Sequence, residues 1–403
     1  MKRVLLYHGL PLLIACAIIY SLGSIIKATL ISNDSQQVSD KFTFPGYFDN
    51  YQDNPSLEDS ICRTLWNGSS IVVMGSSEMT TRQFKAMPYN IFNCVGLGHE
   101  GNQCFSMYAQ LCAMNRHIQN AKLVIILSPG WFCGDDSKGS STESFLEFND
   151  DRFLYNAYYS TNLDDTFKTY IGEYLKDKMP EIESPSAIIK AFYYDDLSSA
   201  TIAHQFLCTP YKYMYNKYCM YKVGRAMKLA ENEYSLPANS VNVKQEYTPY
   251  ELPKMQKPNW DSLYVLASKE FVLKSNNNSL AVDNDYYTTR IKNHKLGHLH
   301  IVSESRNKEL TDFKMLVKFL KKYNVNTYFI IQPLNPYTYD NLQELTPLLT
   351  EVKTELSKNS FTYYDMYTAD TTHYQKGILT DVMHLGNLGW YKADSAIYTH
   401  FYK

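Results

Sequence analysis

The chain has 403 residues, of which 45% are hydrophobic and 20% are charged, and its formal net charge at pH 7 is −2. This length allows one large domain or two ordinary ones, and the apolar content is that of a globular protein with a core. A nearly neutral charge gives no electrostatic basis for binding nucleic acid, which usually requires a basic face.

The first segment of the chain is apolar. Residues 4–26 contain no Lys, Arg, Asp or Glu, and they follow Lys2 and Arg3. About 20 apolar residues suffice to cross a bilayer, and basic residues before such a span favour a cytoplasmic N-terminus. The alternative is a cleaved signal peptide, whose apolar core is normally shorter and ends at a small-residue cleavage site. The sequence therefore predicts a single-pass anchor over residues 1–26, a polar stalk over 27–59, and an extracellular C-terminal domain.

Alternating strand and helix patterns begin at about residue 60 and return after about residue 308. Strands alternating with helices favour a parallel sheet that is covered on both faces. The predicted strands are 70–74, 89–96, 121–132, 326–336 and 361–367. The predicted helices are 77–87, 101–118, 308–323, 342–359 and 387–402.

The residues between these two regions, 136–300, have a different composition. They are rich in Tyr, Asn, Asp and Lys, and they include short helical patterns such as 186–194 and 263–273. We interpret this stretch as a mainly helical insertion within one α/β domain over residues 60–403. The two α/β halves can still form one sheet, whose carboxyl ends are where open α/β sheets place their ligands.

The cysteine and histidine patterns do not indicate a metal site. None of the eight cysteines forms C-x-x-C, so neither a zinc ribbon nor a thioredoxin motif is supported, and buried free thiols are expected. His294, His298 and His300 lie close together but lack acidic or Cys partners nearby. The sequence also lacks the Gly-rich loop that cradles phosphates. We therefore expect no metal and no cofactor.

Two short motifs carry residues suited to nucleophilic chemistry. The apolar run "IVVM" ends in Gly75, Ser76, Ser77 and Glu78, a turn that either exposes a reactive hydroxyl or supplies a helix N-cap. Near the C-terminus, "TDVMHLGNLGW" contains Asp381 and, three residues later, His384.

The chemistry of the two motifs is complementary. An aspartate can hold the tautomer of a histidine so that the other ring nitrogen accepts a proton. A serine with such a base supports acyl transfer through a covalent ester. Each residue also has a structural explanation, since Ser77 can act as an N-cap and His384 can bond to the backbone near a helix.

The order of the motifs resembles that of the SGNH hydrolases, in which Gly-Asp-Ser near the N-terminus carries the nucleophile. Here Gly75-Ser76-Ser77 aligns with that motif, which selects Ser77, and Asp381-x-x-His384 stands before the last helix. The resemblance implies an SGNH-like three-layer fold with a parallel central sheet.

The resemblance also implies a Gly and an Asn that bind the oxyanion. Gly98 is the candidate glycine, with the Ser77 backbone N–H as a further donor. No Gly-x-Asn follows the third strand, where "SPGWF" stands instead, and Gln103 is the candidate amide. Trp131 is a candidate for lining the substrate cleft, although a Trp after a strand often belongs to the core or to a lid. Glu78 either orients substrate or simply favours the first helical turn.

Three motifs behind the predicted anchor, "VVMGSSE", "SPGWF" and "DVMHLGNLGW", are similar to those of the DltD family. This resemblance implies a membrane-tethered protein of Gram-positive teichoic acid D-alanylation. Its partners would be the membrane-bound O-acyltransferase DltB, the D-alanyl carrier protein pathway and the lipoteichoic acid acceptor. Ser77 would be the nucleophile, His384 the general base and acid, and Asp381 the orienting carboxylate. The alternatives are an SGNH O-acetyltransferase or esterase acting on another envelope polymer, and a non-catalytic scaffold.

Overall fold

The computed structural model describes residues 5–30, 71–81, 94–115, 118, 121–194, 258–293 and 296–403. The predicted stalk lies almost entirely outside the described residues. The same is true of residues 195–257 within the predicted insertion.

The centre of the fold is a five-stranded sheet. Its strands are β1 (Ile71–Met74), β2 (Cys94–Leu97), β3 (Lys122–Leu127), β4 (Asn326–Ile331) and β5 (Thr362–Asp365). Their order across the sheet is β2-β1-β3-β4-β5, and every neighbouring pair is parallel. The predicted α/β class with a parallel sheet is thus confirmed.

The two halves of the sequence meet at the pairing of β3 with β4. This pairing extends from Lys122 opposite Asn326 to Leu127 opposite Ile331. Strands in the middle of a parallel sheet are buried on both faces and therefore read as continuous apolar runs. This is why "IVVM", "KLVIIL" and "NTYFII" were recognisable as strands, and almost all of their residues are buried.

The helices largely follow the predicted patterns. Helix α2 (Cys104–Ala113) packs against α8 (Lys308–Lys322), and α8 packs against α9 (Thr346–Lys358). Helix α10 (Asn387–Tyr402) packs on β4 and against α7 (Trp260–Lys274). The helices are α1 (Leu10–Leu30), α2 (Cys104–Ala113), α3 (Thr142–Phe148), α4 (Asp151–Tyr158), α5 (Asp165–Lys178), α6 (Ala187–Tyr194), α7 (Trp260–Lys274), α8 (Lys308–Lys322), α9 (Thr346–Lys358) and α10 (Asn387–Tyr402).

Local sequence explains where several helices begin. Asn307 precedes α8, and its side-chain oxygen accepts a hydrogen bond from the Leu310 N–H at 3.0 Å, as an N-cap does. Asn259 caps α7 in the same way through the Ser262 N–H. Along α8 and α2, the rings of Phe319 and Tyr108 meet edge to face with centroids 5.9 Å apart.

The chain forms two compact units. One contains the described residues of Met1–Leu65 and Asn149–Glu251, and the other contains those of Trp66–Phe148 and Leu252–Lys403. The whole sheet lies in the second unit. In the first unit, helices α4, α5 and α6 pack together, with the rings of Tyr158 and Phe192 edge to face at 4.9 Å. The predicted boundaries of stalk, domain and insertion stay predictions.

Helix α1 covers most of the apolar segment near the N-terminus. No helix among the described residues combines the length and the apolar character that a membrane span requires. The single-pass anchor predicted over residues 1–26 is therefore not supported by the described structure.

Candidate active site

The turn after β1 separates its two serines. Ser76 Oγ donates a hydrogen bond to the backbone oxygen of His99 at 3.1 Å, whereas Ser77 Oγ lies 2.7 Å from His384 Nε2. Ser76 occupies the N-cap position, but its side chain makes no capping bond. The helix predicted over 77–87 is described only as the short 3₁₀ turn Ser77–Thr80, because 82–93 lie outside the described residues. Of the two hydroxyls, the one on Ser77 therefore faces the imidazole.

His384 joins Ser77 to Asp381. Its Nδ1 lies 2.7 Å from Asp381 Oδ2 while its Nε2 contacts the Ser77 hydroxyl. A carboxylate can only accept a hydrogen bond, so Nδ1 carries a proton and donates a hydrogen bond to Asp381. In the neutral ring Nε2 is then an acceptor, and the Ser77 O–H donates to it. The three side chains are thus hydrogen-bonded in series, and the tautomer is the one that a general base requires.

Asp381 is held by its own loop. Its Oδ1 accepts hydrogen bonds from the backbone N–H groups of Met383 at 2.9 Å and His384 at 2.7 Å. Across the loop, the Thr380 N–H donates to the His384 oxygen at 2.8 Å. These bonds fix the carboxylate while Oδ2 remains directed at the imidazole.

The loop is fastened to the sheet at the end of β4. Gln332 is the first residue after that strand, and its Nε2 donates to the Met383 backbone oxygen at 3.2 Å. Ser77 follows β1 at the same edge, because both strands run in the same direction. The three side chains therefore lie at the carboxyl edge of the parallel sheet, where ligands bind in open α/β folds.

Charge and burial act in opposite directions on His384. Burial lowers the pKa of its imidazole, but the hydrogen bond and charge of Asp381, with the charges of Glu78 and Glu100, leave the pKa above its ordinary value. About a quarter of the His384 side chain is exposed, at 24%, and 17% of the Asp381 side chain is exposed. The site is therefore sheltered but open to a ligand.

Gly98, the candidate oxyanion glycine, lies against the nucleophile turn. Its φ is +129°, and a Cβ atom there would lie 2.0 Å from the Gly75 backbone oxygen. Only glycine permits this conformation and this approach. The turn is fixed further by Asn102, which is fully buried and donates through Nδ2 to the same Gly75 oxygen at 2.9 Å. Gly98 and Asn102 thus both brace the residues that present Ser77.

The side chains of Gln103 and Trp131 are both nearly buried, at 7% exposure each. Gln103 Nε2 donates to the Asp136 backbone oxygen at 3.1 Å, so the only described hydrogen bond of this amide is to the backbone after β3. Trp131 lies in the 3₁₀ turn Pro129–Phe132, where the sequence predicted a continuing strand. The roles of Gln103 at the oxyanion and of Trp131 at the cleft stay predictions.

The sequence assigned no role to Asn102, and for Glu78 it left open whether the side chain orients substrate or only favours the first helical turn. A polar residue before a helix and an acid in a first turn both have ordinary capping explanations. The structure instead buries both side chains, Asn102 at 0% and Glu78 at 3% exposure. Glu78 Oε1 accepts a hydrogen bond from the Leu385 N–H at 2.9 Å. Only a contact with a distant part of the chain reveals this kind of role.

Other groups with possible chemistry lie apart from this series of side chains. His298 Nδ1 contacts Asp340 Oδ1 at 2.8 Å in an exposed pair, and His294 lies outside the described residues. Cys104 and Cys133 are buried free thiols. Within the part of the chain that the structure describes, no group of His, Cys, Asp and Glu side chains is arranged to hold a metal ion.

The fold and the site together define a class. This is an α/β protein with an open parallel sheet whose carboxyl edge carries serine, histidine and aspartate side chains hydrogen-bonded in series.

Comparison with known proteins identifies the family. The model of the family described as DltD protein matches residues 50–402. Protein DltD of Bacillus subtilis (strain 168) is 25% identical over 376 residues, which covers 87% of this chain and 87% of that protein. Protein DltD of Lacticaseibacillus rhamnosus is 26% identical over 144 residues, or 34% of each chain. The chain belongs to the DltD family.

Proposed function

We propose that the protein transfers D-alanyl groups in the D-alanylation of (lipo)teichoic acid, as an SGNH-type serine acyltransferase or esterase. Ser77 is the nucleophile, His384 the general base and acid, and Asp381 the orienting carboxylate. The observation that carries the proposal is the series of two contacts, 2.7 Å from Ser77 Oγ to His384 Nε2 and 2.7 Å from His384 Nδ1 to Asp381 Oδ2. These lengths are within hydrogen-bond reach for nucleophile and base before any substrate binds.

In the first half of the reaction, Ser77 attacks the carbonyl carbon of a D-alanyl ester or thioester. His384 Nε2 takes the hydroxyl proton as the new C–O bond forms, and Asp381 stabilises the resulting imidazolium. The tetrahedral intermediate then collapses, and the bond from carbon to the leaving oxygen or sulfur breaks. His384 returns its proton to that leaving group, and a D-alanyl ester remains on Ser77.

In the second half, a hydroxyl group of the acceptor polymer attacks the D-alanyl ester. His384 removes the proton of that hydroxyl and then gives it to Ser77 Oγ as the acyl–enzyme bond breaks. The product is a D-alanyl ester on the polymer, and the enzyme is restored. Neither half requires a metal or a nucleotide.

The negative oxygen of each tetrahedral intermediate needs hydrogen-bond donors. We propose that Gly98 and the backbone N–H of Ser77 bind this negative oxygen. The support is the close packing of Gly98 against the Gly75 carbonyl, beside the residue that presents the nucleophile. Gln103 Nε2 uses one of its two N–H groups on the Asp136 oxygen, so a side-chain contribution from Gln103 would come from the second N–H group.

The resemblance to the family supplies the proposed setting of the reaction. The protein would act outside the cell with the O-acyltransferase DltB and the D-alanyl carrier protein pathway, on lipoteichoic acid. We also propose that residues 1–26 attach the protein to the membrane, because residues 4–26 carry no Lys, Arg, Asp or Glu. Loss of membrane association after deletion of residues 1–26 would support it, and retention would contradict it.

The D-alanine ester content of cells tests the proposed function. Cells whose only copy carries Ser77→Ala should lose the teichoic acid esters while the variant protein accumulates normally. Ser357→Ala makes the same chemical change on the exposed face of α9 and should leave the ester content unchanged. Unchanged esters in Ser77→Ala cells would contradict the proposal and favour a non-catalytic scaffold for the acyltransferase.

The mass of the acyl group on Ser77 tests the substrate separately. A D-alanyl adduct, trapped by rapid acid quenching and found by peptide mass spectrometry, is the expected result. An acetyl adduct at the same serine would assign the protein to acetyl transfer or ester hydrolysis on another envelope polymer.

A further inference from the structure

We propose that Glu78 is a positioning residue of this site, which fastens the loop of His384 to the nucleophile turn and, when it is ionised, adds a second negative charge near the imidazole. The inference rests on the proposed function, and it gives Glu78 a role other than the substrate contact that the sequence suggested and outside the mechanism above.

The geometry places two hydrogen bonds side by side. Ser77 and Glu78 are consecutive in the turn after β1, and His384 and Leu385 are consecutive in the loop before α10. Ser77 Oγ contacts His384 Nε2 at 2.7 Å, and the Leu385 N–H donates to Glu78 Oε1 at 2.9 Å. The second bond therefore sets the separation of the two segments one residue away from the reacting pair. A misplacement of about 1 Å at such a pair is costly in rate.

The burial of Glu78 is not explained by the capping of a short turn. An acid that only favours the first turn of a helix can remain in water, whereas Glu78 is 3% exposed. Its second oxygen, Oε2, is buried and has no hydrogen-bond partner among the described residues. Burying a carboxyl group with an unpaired oxygen is unfavourable. The chain tolerates this cost where the carboxyl group meets the histidine loop, at the Leu385 N–H.

The ionisation of Glu78 is coupled to that of His384. Burial raises the pKa of the Glu78 carboxyl to about 8, the charge of His384 and the Leu385 N–H lower it, and the charge of Asp381 raises it. In turn, Glu78 contributes to raising the pKa of His384, together with Asp381 and Glu100. Formation of the imidazolium therefore favours the ionised form of Glu78. A charge that appears when the base takes its proton stabilises that step.

Two substitutions separate the two parts of the proposal. Glu78→Gln keeps an oxygen that can accept from the Leu385 N–H but removes the charge. Glu78→Leu removes both the acceptor and the charge. Glu309→Gln is the matched control, because Glu309 is also buried, has a pKa raised to about 8 by burial, and accepts the Cys104 N–H at 2.9 Å, which belongs to neither the nucleophile turn nor the histidine loop.

The first measurement does not depend on activity. In a Ser77→Ala background, which cannot be acylated at this position, NMR of ¹³C-labelled histidine follows the titration of His384. Glu78→Gln should lower the pKa of His384, whereas Glu309→Gln should leave it unchanged. An unchanged His384 pKa in Glu78→Gln would overturn the electrostatic part of the proposal, whether or not the protein is an enzyme.

The second measurement is the rate at which Ser77 reacts with a fluorophosphonate, as a function of pH. Glu78→Gln should move the acidic limb of the profile to lower pH. Glu78→Leu should lower the plateau at high pH by about tenfold, since it removes a hydrogen bond to a charged group, and Glu78→Gln should lower it less. A wild-type plateau in Glu78→Leu would overturn the positioning role. If wild-type protein never labels at Ser77, the proposed function fails, while the titration still decides the charge of Glu78.

Discussion

Asp381→Asn is the sharpest perturbation of the site, because it changes one bond in the series and leaves the others possible. The asparagine oxygen can still accept the backbone N–H groups of Met383 and His384, which lie 2.9 and 2.7 Å from Asp381 Oδ1. The amide nitrogen then replaces Oδ2, which lies 2.7 Å from His384 Nδ1. Since an amide nitrogen only donates, Nδ1 must become the acceptor and the proton moves to Nε2.

The expected loss of reaction rate follows from this inverted tautomer. With its proton on Nε2, the imidazole can no longer accept the Ser77 proton, so the base is lost while the geometry is kept. A change of this kind in a Ser-His-Asp series costs about 10⁴-fold in rate, which corresponds to about 5 kcal/mol of transition-state stabilisation. The effect on stability should be much smaller, on the order of 1 kcal/mol, because both backbone bonds to Oδ1 survive.

The assay is the second-order rate of Ser77 labelling by a fluorophosphonate, with the free energy of unfolding in urea measured on the same samples. Asp340→Asn is the matched control, since Asp340 contacts His298 Nδ1 at 2.8 Å in an exposed pair outside the site. Asp340→Asn should label at the wild-type rate. A labelling rate of Asp381→Asn within a few-fold of wild type, in folded protein, would refute the reasoning.

Three further predictions concern the backbone at Gly98, the ionisation of His384 and the ionisation of Glu309. Gly98→Ala should lower the free energy of unfolding by roughly 2 kcal/mol or more, because φ is +129° and the new Cβ would clash with backbone. Gly134→Ala, at φ +53° with nothing within 4 Å, should cost only about 1 kcal/mol, and equal urea midpoints for the two variants would contradict this account. The labelling rate of Ser77 should fall as the pH drops through the pKa of His384. The midpoint of this fall should lie above the pKa of an ordinary histidine, because Asp381 raises the pKa of His384 by more than burial lowers it. A midpoint below the ordinary value would contradict this charge arrangement. Burial raises the pKa of Glu309 from 4.5 to about 8, so its contribution to stability is fully present below about pH 4.5 and is lost as the pH rises through about 8. The free energy of unfolding of Glu309→Gln should therefore fall less than that of wild type between pH 5 and pH 8. If the two free energies, measured in urea, fall by the same amount, Glu309 is not protonated in the folded protein.

The sequence was informative about the sheet because most residues of its central strands are apolar. The sequence indicated that the two α/β halves can form one sheet, whereas the pairing of β3 with β4 is known only from the structure. The continuation of the third strand over "SPGWF" was wrong, because Pro129 cannot supply a ladder N–H and begins a 3₁₀ turn. The apolar segment near the N-terminus predicted a span that the described helices do not support.

The candidate site was predictable to the extent that local motifs report it. Ser77, Asp381 and His384 stand in short motifs whose order along the chain is characteristic. The proposed role of Glu78 and the contact of Asn102 with Gly75 depend instead on where their partners lie after folding. Glu78 meets a residue 307 positions away, and Asn102 meets one 27 positions away. No local pattern of hydropathy or spacing carries that information.

The most direct test of the account is peptide mapping of the protein after fluorophosphonate labelling, with wild type, His384→Ala and Asp381→Asn compared at equal concentration. We predict one modified serine, Ser77, in wild type and a strongly reduced yield in both variants. Modification of Ser76 or of another serine, or equal labelling of Ser77 in all three proteins, would contradict the assignment of these side chains to one site.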